Sequence, residues 1–171
     1  TEVINYSSAH DNFTLYDKLV LSSGSEVNYE RQEHLIAMNR INAALLFTSQ
    51  GGVFVHAGEE FARTKYGDEN TYNAPIAVNK LDWSRAEENE DLVNYYRGMM
   101  AIRQEYAPLR DATTRTAEMM YFRHMPENVL LYTIPNMYEG ISKWKNMVVA
   151  VNSGHHPITI ELPKDENGNT Q

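Results

Sequence analysis

His10, Asp11 and Asn12 stand together at the end of Val3-Ile-Asn-Tyr-Ser-Ser-Ala, a short run rich in apolar and β-branched residues that stops abruptly in polar side chains. An imidazole beside a carboxylate places a hydrogen-bond donor and a fixed negative charge side by side. Such a run reads as a buried parallel strand, and catalytic groups collect where strands of α/β proteins stop. The same residues are also ordinary turn chemistry, and Asp11 or Asn12 can cap a helix beginning near Leu15. The local residues leave both readings open.

A second group follows the run Val53-Phe-Val-His56-Ala57, which is bounded by Gly51-Gly52 and Gly58 and reads as another buried strand. Glu59 and Glu60 follow its end, where acids can face an active rim or favour a helix N-terminus. Arg63 can orient a loop through carboxylates or reach a ligand, the first role being favoured. Tyr72 and Asn73 place a stacking ring and an amide in a long polar stretch, suited to a neutral, hydroxyl-rich ligand, although Asn is also a turn residue. His56, inside the strand, reads as a hydrogen-bonded core histidine. A metal cluster of His10, Asp11, His56 and a glutamate is the competing enzyme reading. The position of His56 and the lack of a close His pair argue against it, and no metal or cofactor is expected.

The elements that must position these groups follow from periodicity. Tyr29 to Thr48 reads as a helix with Leu35, Met38, Ile41 and Leu45 on one face, so strand, helix and strand make a βαβ unit. Phe61 to Trp83 is long, polar and rich in turn residues, the mark of a functional or disordered loop. A second helix starts at Glu87-Glu88, carries a core stripe of Tyr95, Tyr96, Met99 and Tyr106, and is closed by Pro108. Short strands are then expected at Ala117 to Arg123, Val129 to Ile134, Met147 to Asn152 and Ile158 to Leu162. Pro163 to Gln171 is polar and reads as a frayed end or as a loop whose continuation is missing. The organisation is an α/β part, residues 1–113, followed by a small antiparallel β part, residues 114–171.

Composition narrows the classes. The 171 residues are 42% hydrophobic and 22% charged, which is globular. The net charge of −8, with basic residues scattered, argues against a nucleic-acid partner. The absence of cysteine removes disulfides, thiol catalysis and Cys-ligated zinc. No apolar run approaches the roughly 20 residues of a membrane helix. The chain opens on Thr1, almost inside its first strand, and reads as the middle of something longer.

With these pieces in order, the chain resembles the C-terminal third of type I pullulanases, debranching members of the alpha-amylase superfamily. Asn5-Tyr-Ser-Ser-Ala-His10-Asp11-Asn12 is similar to the superfamily's fourth motif, at the end of the seventh barrel strand. Phe47-Thr-Ser-Gln-Gly51, Phe54-Val-His-Ala-Gly-Glu-Glu60 and Arg63-Thr-Lys65 resemble the eighth strand and its loop. Tyr72-Asn73-Ala-Pro75, Val78-Asn-Lys-Leu-Asp82-Trp83 and Lys143-Trp-Lys-Asn146 continue the pattern. Ile76 departs from it, where the family often has an acid.

The resemblance implies the last two βα units of a TIM-type (β/α)8 barrel followed by a β-sandwich domain. It implies retaining cleavage of α-1,6 linkages in pullulan, amylopectin or glycogen-type glucans, with Asp11 stabilising the transition state and His10 donating to the same sugar. Asn12, Arg63, Tyr72 and Asn73 are the further substrate contacts. The nucleophile and general acid, about 5 Å apart across the scissile bond, lie in the family on earlier strands absent from this chain. Its partners would be an α-glucan and either the upstream part of the same enzyme or other copies of itself. The compartment stays open, with family analogy leaning towards a secreted or cell-surface bacterial protein. The alternative from another class is a carbohydrate-binding module without catalysis of its own.

Overall fold

The computed structural model describes residues 3–24, 27–138, 140 and 143–162. In chain order these form β1 (Ile4–Tyr6), α1 (Leu15–Ser22), α2 (Glu33–Thr48), β2 (Gly52–Phe54), α3 (Ile76–Asn79), α4 (Ser84–Glu88), α5 (Glu90–Glu105), α6 (Thr114–Met119), β3 (Tyr121–Arg123), β4 (Val129–Pro135) and β5 (Asn146–Asn152). Single 3-10 turns stand at Glu59–Phe61 and Ala107–Arg110. The polar end expected at Pro163–Gln171 lies outside the described residues. Contacts divide the chain into two compact units, one made of Ile4–Ser49 and Val53–Ala101, the other of Gln50–Gly52, Val3 and the residues from Ile102 onwards.

In the first unit α2 buries Leu35, Ile36, Asn39, Ala43, Leu46 and Phe47, a three-and-four spacing. This face is turned from the expected one, and Met38 is exposed. Asn39 is drawn inward, where both ends of its amide are hydrogen-bonded. Tyr96 donates to its Oδ1 at 2.8 Å, and its Nδ2 donates to the Glu59 carbonyl at 3.2 Å. Of the expected stripe, Tyr96, Met99 and Tyr106 are buried while Tyr95 is only half-buried, Leu92 of α5 is also buried, and the Tyr96 ring meets Phe47 edge-on at 5.7 Å. The helix expected from Glu87 is interrupted at Asn89, whose side chain donates to the Arg85 carbonyl.

β1 and β2 are hydrogen-bonded neighbours in a two-stranded sheet. The buried strands expected here are instead three residues each, with Ile4 65%, Tyr6 63% and Phe54 45% exposed. The physical reason is that, among the described residues, no second layer covers the face on which Tyr6 and Phe54 meet edge-on.

In the second unit β3, β4 and β5 form an antiparallel sheet in that order, with Phe122 opposite Tyr132 and Tyr132 opposite Val149. Its core joins Tyr132, Ile134 and Val149 to Tyr106 and Leu109, and the Tyr106 hydroxyl donates to the Ile134 carbonyl at 2.6 Å. Two expected strands are corrected. Residues 117–119 are the end of α6, because Thr113 and Asp111 cap a helix there. Ile158 to Leu162 forms no ladder.

Asp111 is buried and accepts from the backbone N–H and hydroxyl of both Thr113 and Thr116 at 2.5–3.0 Å. Burial alone would raise its carboxyl, but these four donors outweigh that and hold it well below the usual carboxylate range. Asp111→Ala should lower stability by about 2 kcal/mol, since it leaves buried donors unpaired. Urea unfolding at neutral pH checks this.

Candidate functional site

The segment after β1 is held from several sides while its tip stays open. Ser7 and Asn42 exchange side-chain hydrogen bonds at 2.8–3.1 Å, and Lys18 of α1 donates to the Ser7 carbonyl at 2.9 Å. Fully buried Ser8 donates to Glu59 Oε1 at 2.5 Å. The Lys65 ammonium donates to the His10 carbonyl at 2.9 Å. Asn12 then takes a left-handed φ of 67°, which Asn tolerates, and its own Oδ1 accepts from the Phe13 N–H. The result presents His10 and Asp11 outward, their side chains 85% and 90% exposed and Nδ1 3.0 Å from Oδ1.

The opposite wall comes from the loop after β2. Gly58 has φ 102°, and a Cβ there would fall 2.6 Å from Arg63 Cβ, so the turn that brings Arg63 back requires glycine. Arg63 donates through Nη2 to the Asn79 carbonyl at 2.6 Å and through Nη1 to the Ala57 carbonyl at 3.2 Å. Asn79 in turn pairs with the Thr71 hydroxyl and carbonyl. These contacts order the long polar stretch that sequence marks as functional or disordered. At its base Asp17 of α1, fully buried, accepts from the Thr64 hydroxyl and from the Lys65 N–H at 2.9 Å.

His10, Asp11, His56, Arg63, Lys65, Glu69, Asn70, Thr71, Tyr72 and Asn79 line one cavity of about 390 Å³. Two cations, two carboxylates, amides and a ring make a mixed donor and acceptor surface, suited to a neutral polyhydroxy ligand. His56 lies just past β2, half-buried, with Nε2 3.2 Å from Arg63 Nη1. Since arginine only donates, Nε2 accepts and the imidazole is neutral.

Burial, and then the positive charges of Arg63, Lys65 and His10, push the His56 pKa from 6.5 down to about 4. The unfolded chain therefore binds a proton that the folded one refuses between those values. The His56 contribution is whole above pH 6.5 and is lost as pH falls towards 4. His56→Gln should narrow the gap between urea midpoints at pH 7 and pH 5.

Four of the expected site residues, His10, Asp11, Arg63 and Tyr72, thus meet at one cavity, with Tyr72 84% exposed. Asn12, Asn73 and Ile76 do not line it, although Asn12 shapes the turn. Among the described residues no three His, Asp or Glu side chains come together as a metal-ligating group. No helix among them is long and apolar enough to cross a membrane. Sequence reasoning missed Asp17 and Asn79. Asp17 had a signal, standing three residues after the cap Thr14, whose hydroxyl accepts its N–H at 3.2 Å.

No protein-family model matches the chain. A Bacillus subtilis (strain 168) pullulanase is 29% identical over 170 residues, 96% of this chain and 22% of that protein. Rice isoamylase 1, a chloroplastic protein, is 27% identical over 94% of this chain and 24% of its own length. The crystal structure of a Paenibacillus barengoltzii pullulanase in complex with maltohexaose and alpha-cyclodextrin matches with a TM-score of 0.84 at 36% identity, covering 94% of this chain and 24% of that one. The chain spans about a quarter of the length of these relatives. By sequence and by fold the chain is similar, over nearly its whole length, to pullulanases and isoamylases, as the resemblance implied.

Proposed function

We propose that this chain is the part of a retaining debranching hydrolase that supplies the transition-state-stabilising carboxylate, Asp11, for cleaving α-1,6 linkages in pullulan, amylopectin or glycogen-type glucans. In this reading residues 1–113 end a (β/α)8 barrel and residues 114–171 belong to a β-sandwich domain. The nucleophile and general acid come from earlier strands of the same barrel.

The observation that carries it is the contrast at β1: a carboxylate 90% exposed at a cavity, on a backbone fixed by buried partners. A fixed anion stabilises an oxocarbenium-like charge more than reorienting water does. His10, paired with Asp11 at 3.0 Å, donates to a hydroxyl of the same sugar. Tyr72 offers a ring at the rim, Arg63 holds the loop, and Asn12 and Asn73 act at the edges.

Linkage preference is the test. The completed enzyme should release reducing ends from pullulan and not from linear α-1,4 glucan. Equal release from both would reject the α-1,6 assignment. The exposed face of Ile4, Tyr6 and Phe54 gives a further expectation. The chain by itself should self-associate at tens of micromolar or bind an upstream barrel portion, because uncovered apolar sheet faces drive association. Sedimentation showing a monomer far above micromolar concentration would contradict this.

A further inference from the structure

We propose that Lys65 is a positioning residue for the sugar-binding turn, holding the His10 carbonyl with its ammonium so that the Asp11 carboxylate stands fixed at the cavity. The proposal rests on the debranching reading of Asp11. Lysine is rarely buried without a partner, yet Lys65 is only 4% exposed. Its Nζ lies 2.9 Å from the His10 carbonyl oxygen, one peptide bond from Asp11.

The base of Lys65 is itself immobilised. Its backbone N–H donates to the buried Asp17 carboxylate at 2.9 Å, and the neighbouring Thr64 hydroxyl donates to the same group. A rigid helix therefore fixes one end of this side chain, and the side chain fixes the turn. The His10 and Asp11 side chains cannot fix themselves, being almost fully exposed. Burial and the nearby Arg63 lower the Lys65 amine from its usual value, while Asp17, Asp11 and Asp68 oppose that shift. The Asp11 charge thus acts on Lys65 as Lys65 acts on its backbone. A lost anchor here leaves the carboxylate attached but mobile, and a misplacement of about 1 Å can cost about 10²-fold in rate.

The experiment is a double-mutant cycle on pullulan cleavage, in the enzyme completed by joining this chain to the barrel portion that carries the nucleophile and acid. Lys65→Met should lower kcat about 10²-fold with KM changed by less than about 3-fold. In an Asp11→Asn background the same change should cost almost nothing, because there is no carboxylate left to position. A full, additive loss in that background, or full kcat in Lys65→Met alone, would overturn the proposal. Should Lys65→Met fail to fold, the wild-type chain labelled with 15N and 13C supplies the decision. A scalar coupling between Lys65 Nζ and the His10 carbonyl carbon supports the anchor, and its absence overturns it. If Asp11→Asn itself keeps full activity, the debranching role of Asp11 falls first, and this proposal with it.

Discussion

Asp11→Ala should lower kcat on pullulan about 10²- to 10³-fold and leave the fold intact. The size follows from removing one preorganised electrostatic group from a reaction that develops positive charge, an effect of about 3–4 kcal/mol in comparable sites. The unchanged stability follows from exposure. A side chain 90% exposed, paired with an equally open His10, contributes within about 0.5 kcal/mol to folding. The two readouts together identify a group whose role is in the reaction. Steady-state kinetics and urea unfolding of the same preparation check both, and a drop in activity matched by a drop in stability would point to misfolding instead.

Asp17→Ala should do the reverse, lowering stability by about 3 kcal/mol, with lost activity as a consequence. Asp17 is fully buried and accepts from Thr64 Oγ1 and the Lys65 N–H, joining α1 to the loop after β2. Alanine leaves a hydroxyl and an amide buried without acceptors. Asp17→Asn, which keeps one acceptor oxygen, should recover part of the loss. Denaturant midpoints for the three forms order the result, and equal midpoints would contradict it.

Much of the site was legible because its determinants are local. The polar stop at His10, Asp11 and Asn12, the glycine before Arg63 and the ring of Tyr72 are written in consecutive residues, and the structure gathers His10, Asp11, Arg63 and Tyr72 at one cavity. What was illegible depends on distant pairs. Asn39 turns inward to meet Tyr96, 57 positions away, and the buried face of α2 is not the one periodicity picks out. Asp17 and Thr64 are 47 positions apart, so a polar helix residue became a buried anchor. Strand signals misled where tertiary support decides. Residues 117–119 fall within an expected strand, yet Ala117, Glu118 and Met119 are good helix formers and the Asp111 cluster caps them into a helix. β1 has a core composition, but among the described residues nothing covers its Ile4 and Tyr6 face.

The most direct test of the central claim is reducing-sugar release from pullulan by the chain alone, and again after mixing with a separately made upstream barrel portion. The expected result is no release by either piece, clear release from the mixture, and release slowed about 10²- to 10³-fold from a mixture carrying Asp11→Ala. Turnover by the chain alone would contradict it. The nucleophile and acid would then have to be found among this chain's own carboxylates.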